Sequence, residues 1–293
     1  MLNKKIIVTG GAGFVGSNLI RLLLQKTKLK IVSLDNYSTG TKKNHIKNSR
    51  VKYINGETAD IKKIIKKPKE INAIFHFGEF ARIYQSFLNM NECIESNNIG
   101  SNAIFNFCLK NKVKLIYSAT SASLGNKGDD KNLSPYAFSK AKNLELLENL
   151  KKWFNLKYEV IYFYNVYGPH QICKGPMSTV IGIFEDHYKS GKPLPIVKPG
   201  SQIRRFTHID DTINICFMAW KKNLCRHYSI SNKKSFSIIQ VARMFGGKIK
   251  YLPKRPGERY TSALTKKNLS NNIYKYFGKV SLKKYIEKFK NNF

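Results

Sequence analysis

Apolar positions along the chain follow two alternating rhythms. Short runs rich in β-branched and aromatic residues recur at KIIVT (5–9), KIVSLD (30–35), KYIN (52–55), AIFHF (73–77), KLIYS (114–118) and EVIYFY (159–164). Their nearly unbroken apolar character predicts strands buried on both faces. Between them the spacing becomes helical. SNLIRLLLQK places Leu19, Leu22 and Leu23 on one side, and 58–67, 85–110 and 137–153 read as further helices. Strand alternating with helix predicts a doubly wound α/β architecture, a parallel sheet covered on both faces. From about residue 170 the rhythm breaks, and Pro169, Pro176, Pro193, Pro195, Pro199, Pro253 and Pro256 separate shorter elements. The expected organisation is a first domain over 1–168 and a smaller α/β lobe mainly over 169–293, with the chain recrossing around 203–220. No internal repeat or low-complexity linker interrupts this plan.

Composition narrows the picture only a little. A chain of 293 residues, 42% of them hydrophobic, is long enough for one large or two small cores. No apolar run approaches the length of a membrane span. The start, MLNKKIIVTGG, has too short an apolar stretch for a signal peptide and passes straight into the first strand. Five cysteines, odd in number and without CxxC spacing, argue for reduced thiols, hence a cytoplasmic location and no metal site. The formal net charge of +34 raises the question of an anionic partner. The lysines form no single block, and neither a zinc-finger spacing nor an RNA-binding aromatic signature is present. The charge therefore reads as drift toward Lys and Asn, with no nucleic-acid partner expected. A basic surface could still raise the encounter rate with a diphosphate ligand.

GGAGFVG follows the first strand and sets Gly10, Gly13 and Gly16 at the first strand-to-helix turn. Gly10 allows a tight turn, Gly13 lets the backbone approach a pyrophosphate, and Gly16 lets the helix pack closely on the strand. The helix N-terminus then offers free N–H groups and a partial positive charge. Three glycines alone are a weak signal. Here a strand precedes, a helix follows, and Asp35 ends the second strand nineteen residues after Gly16. A carboxylate at that place accepts from a ribose 2′-OH and repels a 2′-phosphate, which points to NAD over NADP in a Rossmann-type domain.

Tyr136 and Lys140 in YAFSK stand four residues apart, so on a helix they share a face. A free tyrosine, with a pKa of about 10, is a poor base at neutral pH. A nearby ammonium stabilises the phenolate, and the pair is then suited to take a proton from a sugar hydroxyl as NAD accepts the hydride.

GGAGFVG, LDNYSTG, HFGEFARIYQS, SATSASLG, SPYAFSK, NVYGP, QIRRFTHIDD and RPGE occur in this order. Together they resemble the NAD-dependent epimerase/dehydratase family, extended short-chain dehydrogenase/reductases that act on nucleotide sugars, over about residues 5–290. The resemblance implies that Thr120 completes a catalytic triad with Tyr136 and Lys140. It also implies cofactor contacts from Phe14, Val15, Asn36, Phe77, Gly78, Asn97 and Ser118. Glu57 and Thr58 stand where the family often has Asp followed by an aliphatic residue near the adenine. Arg82, Asn165, Arg204 and Arg255 match positions that hold the substrate, with the last two arginines clamping the diphosphate through charge-assisted forks. Thr179, or Ser178, occupies a place where the family commonly has Asn. Ser262, seven residues after Arg255, matches a position bordering the sugar, where a small residue admits N-acetyl sugars. His76 and His208 read as structural.

Dehydratases of this family carry Asp-Glu immediately after the Thr equivalent to Thr120. Ser121 and Ala122 stand there instead. Neither can act as a carboxylic acid, so the pattern argues against elimination of water. It points to a 4-epimerase that inverts C4 of a UDP-hexose or UDP-N-acetylhexosamine through a 4-keto intermediate, with a 4-dehydrogenase or ketoreductase as the alternative. By the same resemblance, 85–110 and 137–153 pack against a second copy in a homodimer, and surface polysaccharide synthesis is the expected setting.

Overall fold

The computed structural model describes residues 4–122, 130–258 and 273–293. The chain opens with β1 (Lys5–Thr9), α1 (Phe14–Lys26), β2 (Lys30–Asp35) and β3 (Val51–Asn55). A short helix α2 (Ile61–Ile64) leads to β4 (Ile71–His76). Helices α3 (Ile83–Leu88), α4 (Met90–Ile94) and α5 (Ser101–Asn111) precede β5 (Lys114–Thr120), and α6 (Pro135–Phe154) precedes β6 (Tyr158–Phe163). Then come β7 (Asn165–Tyr167), α7 (Val180–Lys189), β8 (Leu194–Val197), β9 (Ile203–His208) and α8 (Ile209–Lys222). The chain closes with β10 (His227–Ser231), β11 (Ser235–Ser237), α9 (Ile238–Phe245), β12 (Ile249–Leu252), β13 (Ile273–Phe277) and α10 (Leu282–Lys290).

The main sheet has eight strands in the order β13-β10-β6-β5-β4-β1-β2-β3. All its pairings are parallel. Two buried layers cover it. On one face α5 and α6 bring Ile104, Phe105 and Leu147 against Ile7, Ile74 and Leu115. On the other, α1 and α8 bring Leu19, Leu23, Ile213 and Cys216 against Ile6, Val8 and Phe75. Alternate residues of one strand thus serve opposite layers, which is why the strands read as continuous apolar runs. The chain recrosses onto this sheet with α8, and again with β10 and β13, so residues beyond 222 extend it too. A third core, with Phe184, Ile196, Phe206, Phe245 and Ile286, fills the smaller lobe.

Two predicted helices come out differently. The stretch 85–110 is broken into α3, α4, a π-helical turn Glu95–Gly100 and α5. The break between α3 and α4 falls at Asn89, whose backbone leaves the helical region. The stretch 58–67 is a 3₁₀ turn, Thr58–Asp60, followed by four residues of α-helix. The wide turn at 95–100 curves beneath the site described next, a common setting for π-helical geometry.

Candidate active site

Strand order reverses between β1 and β4, where one branch of the sheet leads to β2 and β3 and the other to β5 and β6. In an open α/β sheet the crevice at the carboxyl ends of such strands is the natural ligand site. Here it is a cleft of about 950 Å³, at the upper end of ordinary ligand pockets, roughly 300–1,000 Å³.

One end of the cleft is built for a dinucleotide. Gly10 has φ +66°, and a Cβ there would lie 2.9 Å from the backbone of Phe77 and Gly78. A Cβ at Gly16 would lie 2.1 Å from the Gly10 carbonyl oxygen, so only glycine lets α1 start this close to β1. No side chain caps α1 and no acidic residue occupies its first turn, leaving its N–H groups and dipole for an anion. Asp35 is buried and accepts from Ala12 N at 2.9 Å and Tyr37 N at 2.8 Å, which holds its carboxylate at the cleft wall. Asn36 donates to Glu57 at 3.1 Å, and the buried Thr58 touches the π-helical turn at Gly100. A cradle that Cβ atoms would fill, an uncapped helix and a fixed carboxylate together fit NAD.

The residues expected to transfer a proton meet at the centre. Ser134 caps α6 by accepting from Ala137 N at 3.0 Å, and Pro135 occupies its first position, so Tyr136 and Lys140 project from the opening turns. Thr120, at the end of β5, hydrogen-bonds Tyr136 and accepts from Ala122 N at 3.1 Å. Burial pushes the Tyr136 phenol up to about 12; the Thr120 hydrogen bond pulls it down, Glu79 pushes it up and Arg82 pulls it down. The sequence reading expects Lys140 to lower this phenol. The structure differs because burial outweighs the other influences on the phenol, and the Lys140 ammonium is paired with the Ser118 carbonyl and the Glu79 carboxylate.

Glu79 is the group that the sequence reading missed. It follows β4 by three residues, and its side chain and that of Lys140 are 3% and 4% exposed. Besides Lys140 it accepts from Ser101 Oγ at 2.9 Å, Tyr117 OH at 3.0 Å and Asn143 Nδ2 at 3.3 Å. The chain of donors behind it can be oriented. Thr9 Oγ1 accepts from Phe77 N and Gly78 N, so its own proton points to His76 Nδ1 at 2.7 Å. His76 Nε2 then donates to Ser101 Oγ at 2.9 Å, and Ser101 donates to Glu79. A neutral His76 agrees with this, since burial lowers its pKa to about 4. His76 and His208, the latter capping α8 through Asp210 N, are structural parts. The available signal for Glu79 was its place: a carboxylate just past a central strand, in a chain poor in acids.

Every other predicted site residue lines the cleft except three. Asn97 is buried behind the wall, where it brackets Phe80 through the backbone N at 2.7 Å and O at 3.1 Å and donates to Ser139 Oγ at 3.0 Å. It shapes the wall and does not face the cofactor cleft. Arg255 is exposed and its guanidinium stacks 4.7 Å over the Tyr84 ring, outside the cleft. Ser262 lies outside the described residues. The expected clamp of Arg204 and Arg255 is thus not assembled. Arg204, 3.2 Å from Glu258, lines the cleft together with Arg82, whose Nε donates to the Ser178 carbonyl at 3.2 Å. Asn165 lines it too, donating to Arg205 O at 3.2 Å. Thr179 caps α7 and donates to Gln171 Oε1 at 2.7 Å, so its hydroxyl is committed to the fold. Among the described residues no cluster of metal-ligating side chains occurs, and no helix is long and apolar enough to cross a membrane.

Comparison with known proteins agrees with this geometry. The chain is 27% identical over 96% of its length to an ADP-L-glycero-D-manno-heptose-6-epimerase of Brachyspira hyodysenteriae, of which 96% is covered. A solved UDP-N-acetylglucosamine 4-epimerase of Methanobrevibacter ruminantium M1, in complex with UDP-N-acetylmuramic acid, matches with TM-score 0.83 and 25% identity over 99% of this chain and 96% of that one. The dTDP-glucose 4,6-dehydratase DesIV of Streptomyces venezuelae shares the fold at TM-score 0.85, with 20% identity over 98% and 97% of the two chains. A family model described as the NAD dependent epimerase/dehydratase family matches residues 6–231. With that match over most of its length, a glycine cradle for the cofactor and a Thr120–Tyr136 pair above the sheet, the chain belongs to the NAD-dependent epimerase/dehydratase family, and its cofactor is NAD.

Proposed function

We propose that the protein is a nucleotide-sugar 4-epimerase acting on a UDP-hexose or UDP-N-acetylhexosamine. The observation that carries this reading is the Thr120–Tyr136 pair followed by Ser121 and Ala122, both buried and neither a carboxylic acid. Glu79 does not replace the missing acid. Its oxygens accept from Lys140 and three further donors, so they are committed within the protein and not turned to the substrate. Oxidation and its reversal at one carbon remain, without elimination.

Tyr136 takes the proton from the sugar hydroxyl, Thr120 orients that hydroxyl, and Lys140 supplies positive charge nearby. Bound NAD supplies the hydride acceptor for the oxidation and, once reduced, the donor for its reversal. Arg82, Arg204 and Asn165 hold the diphosphate while the 4-keto sugar turns, and Tyr136 returns the proton to the new hydroxyl. The relative from Methanobrevibacter ruminantium, named for UDP-N-acetylglucosamine, supports the UDP-sugar class. The exposed apolar side chains of α3, α4 and α6 support a homodimer.

The test is NMR of the purified protein mixed separately with UDP-glucose, UDP-galactose, UDP-GlcNAc, UDP-GalNAc and ADP-heptose, without added cofactor. Appearance of the C4 epimer of a UDP sugar is expected. Conversion of ADP-heptose alone would move the reaction to another carbon, and a 4-keto product accumulating with NADH would make the enzyme a dehydrogenase.

A further inference from the structure

The Glu79–Lys140 pair bridges the loop after β4 and helix α6 at the floor of the cleft. Lys140 is one of the most buried charged side chains in the protein, and a buried lysine without a partner sheds its proton and leaves the pocket neutral. Its surroundings offer little charge beyond Glu79. From α4 comes Cys93, from β5 the Tyr117 ring 4.5 Å from Nζ and the Ser118 carbonyl, from the end of β4 the neutral His76, and from α6 itself Tyr136. Arg82, which acts on Tyr136, is a like charge.

We infer that Glu79 is a positioning residue: its carboxylate holds Lys140 at the cleft floor and keeps it an ammonium. This rests on the reading of Tyr136 and Lys140 as the proton-transfer pair. Two observations carry it. Glu79 is itself fixed by Ser101, Tyr117 and Asn143, so the carboxylate is an anchor and not a passing neighbour. Lys140 spends one N–H on Glu79 and one on Ser118 O, which leaves a single N–H directed by these two for a ligand. Burial acts to lower the pKa of Lys140, and the charge and hydrogen bond of Glu79 are the leading influences in the other direction. Neutralising Glu79 therefore leaves burial opposed only by the weaker influence of Cys93. The net effect on Tyr136 is indirect: its phenolate loses a neighbouring ammonium.

The test needs no turnover. Protein labelled with ¹³C at lysine Cε is titrated by NMR, and the Lys140 signal is the one absent in Lys140→Arg. In Glu79→Gln the Lys140 midpoint is expected to fall by about one to three pH units. In Glu79→Asp, which keeps a charge set back by one methylene, it is expected to lie between. Should the Gln variant not fold, the Asp variant decides alone: a lower midpoint supports the anchor and an unchanged one overturns it. Equal midpoints in wild type and Glu79→Gln likewise overturn it. In turnover, Glu79→Gln is expected to lose kcat with KM and bound NAD unchanged. If the wild type converts no sugar, the proposed function fails while the titration still decides the role of Glu79.

Discussion

At the scale of single residues, the proposed mechanism separates groups that do chemistry from groups that set charge. Tyr136→Phe removes the phenol and little else, because the ring keeps its place beside Thr120. We expect it to retain NAD, measured by release on denaturation, and to lose at least about a hundredfold in kcat, the usual range for a lost acid–base group. Wild-type turnover in this variant would remove Tyr136 from its role. The histidines give a second expectation. Burial lowers His76 and His227 to about 4, well below the ordinary value of about 6.5. A group whose folded pKa is depressed in this direction binds more protons when unfolded as pH falls. Stability is therefore full above about pH 6.5 and declines toward pH 4, by about 1.4 kcal/mol per pH unit for each histidine. Urea midpoints between pH 7 and 5 check this by comparison with a histidine variant, in which the carboxylates, Glu185 with its raised pKa among them, are common to both proteins. His227→Phe should flatten the slope by one proton, and an unchanged slope would contradict the buried neutral state. Glu79 shows the limit of residue-level reading. It sat in HFGEFARIYQS, but its importance comes from α6, β5 and α5 converging on it, which neighbours in sequence do not reveal.

At the scale of elements, legibility followed local chemistry. The first six strands of the main sheet were visible from their β-rich runs, which burial on both faces makes nearly continuous in all but the half-buried edge strand β3. The start of α6 was read two residues late, at 137, although Ser134-Pro135 is a cap and a first helical residue in one dipeptide. Ser134→Ala is expected to cost about 1 kcal/mol in urea unfolding and to lower kcat, since the capped turn carries Tyr136. A loss of stability without any change in kcat would mean that the turn holds its shape uncapped. The pieces of 85–110 were not visible. Their apolar spacing is helical throughout, and the wide turn at 95–100 answers to packing around Thr58 and Asn143. The same limit explains Arg255. The motif RPGE places an arginine near the substrate end, but the stacking of its guanidinium on Tyr84 is a tertiary event. The cofactor half was the more legible because its glycines answer to backbone geometry at one turn, whereas the substrate half gathers side chains from segments far apart in sequence.

At the scale of the whole molecule, apolar surface and net charge oppose each other. Phe87, Leu88, Met90 and Phe138 are exposed on α3, α4 and α6, helices that pack together on one side of the sheet. Such a patch on adjoining helices fits a second copy of the chain, and we expect a homodimer. Each copy carries a formal charge of +34, so two copies approaching face to face repel. At low ionic strength this repulsion reaches far, while at about 0.15 M salt it is screened beyond about 8 Å. Buried apolar contact has no such dependence on salt at these concentrations. The dimer should therefore tighten as salt rises from about 0.02 to 0.3 M, opposite to an assembly held by ion pairs. Light scattering at micromolar concentration reads the mass against the 33.7 kDa of one chain. Leu88→Asp, at a side chain 61% exposed, should leave the fold intact and yield the single-chain mass. A wild-type protein that scatters as one chain at every salt concentration would leave these apolar side chains without the partner proposed for them.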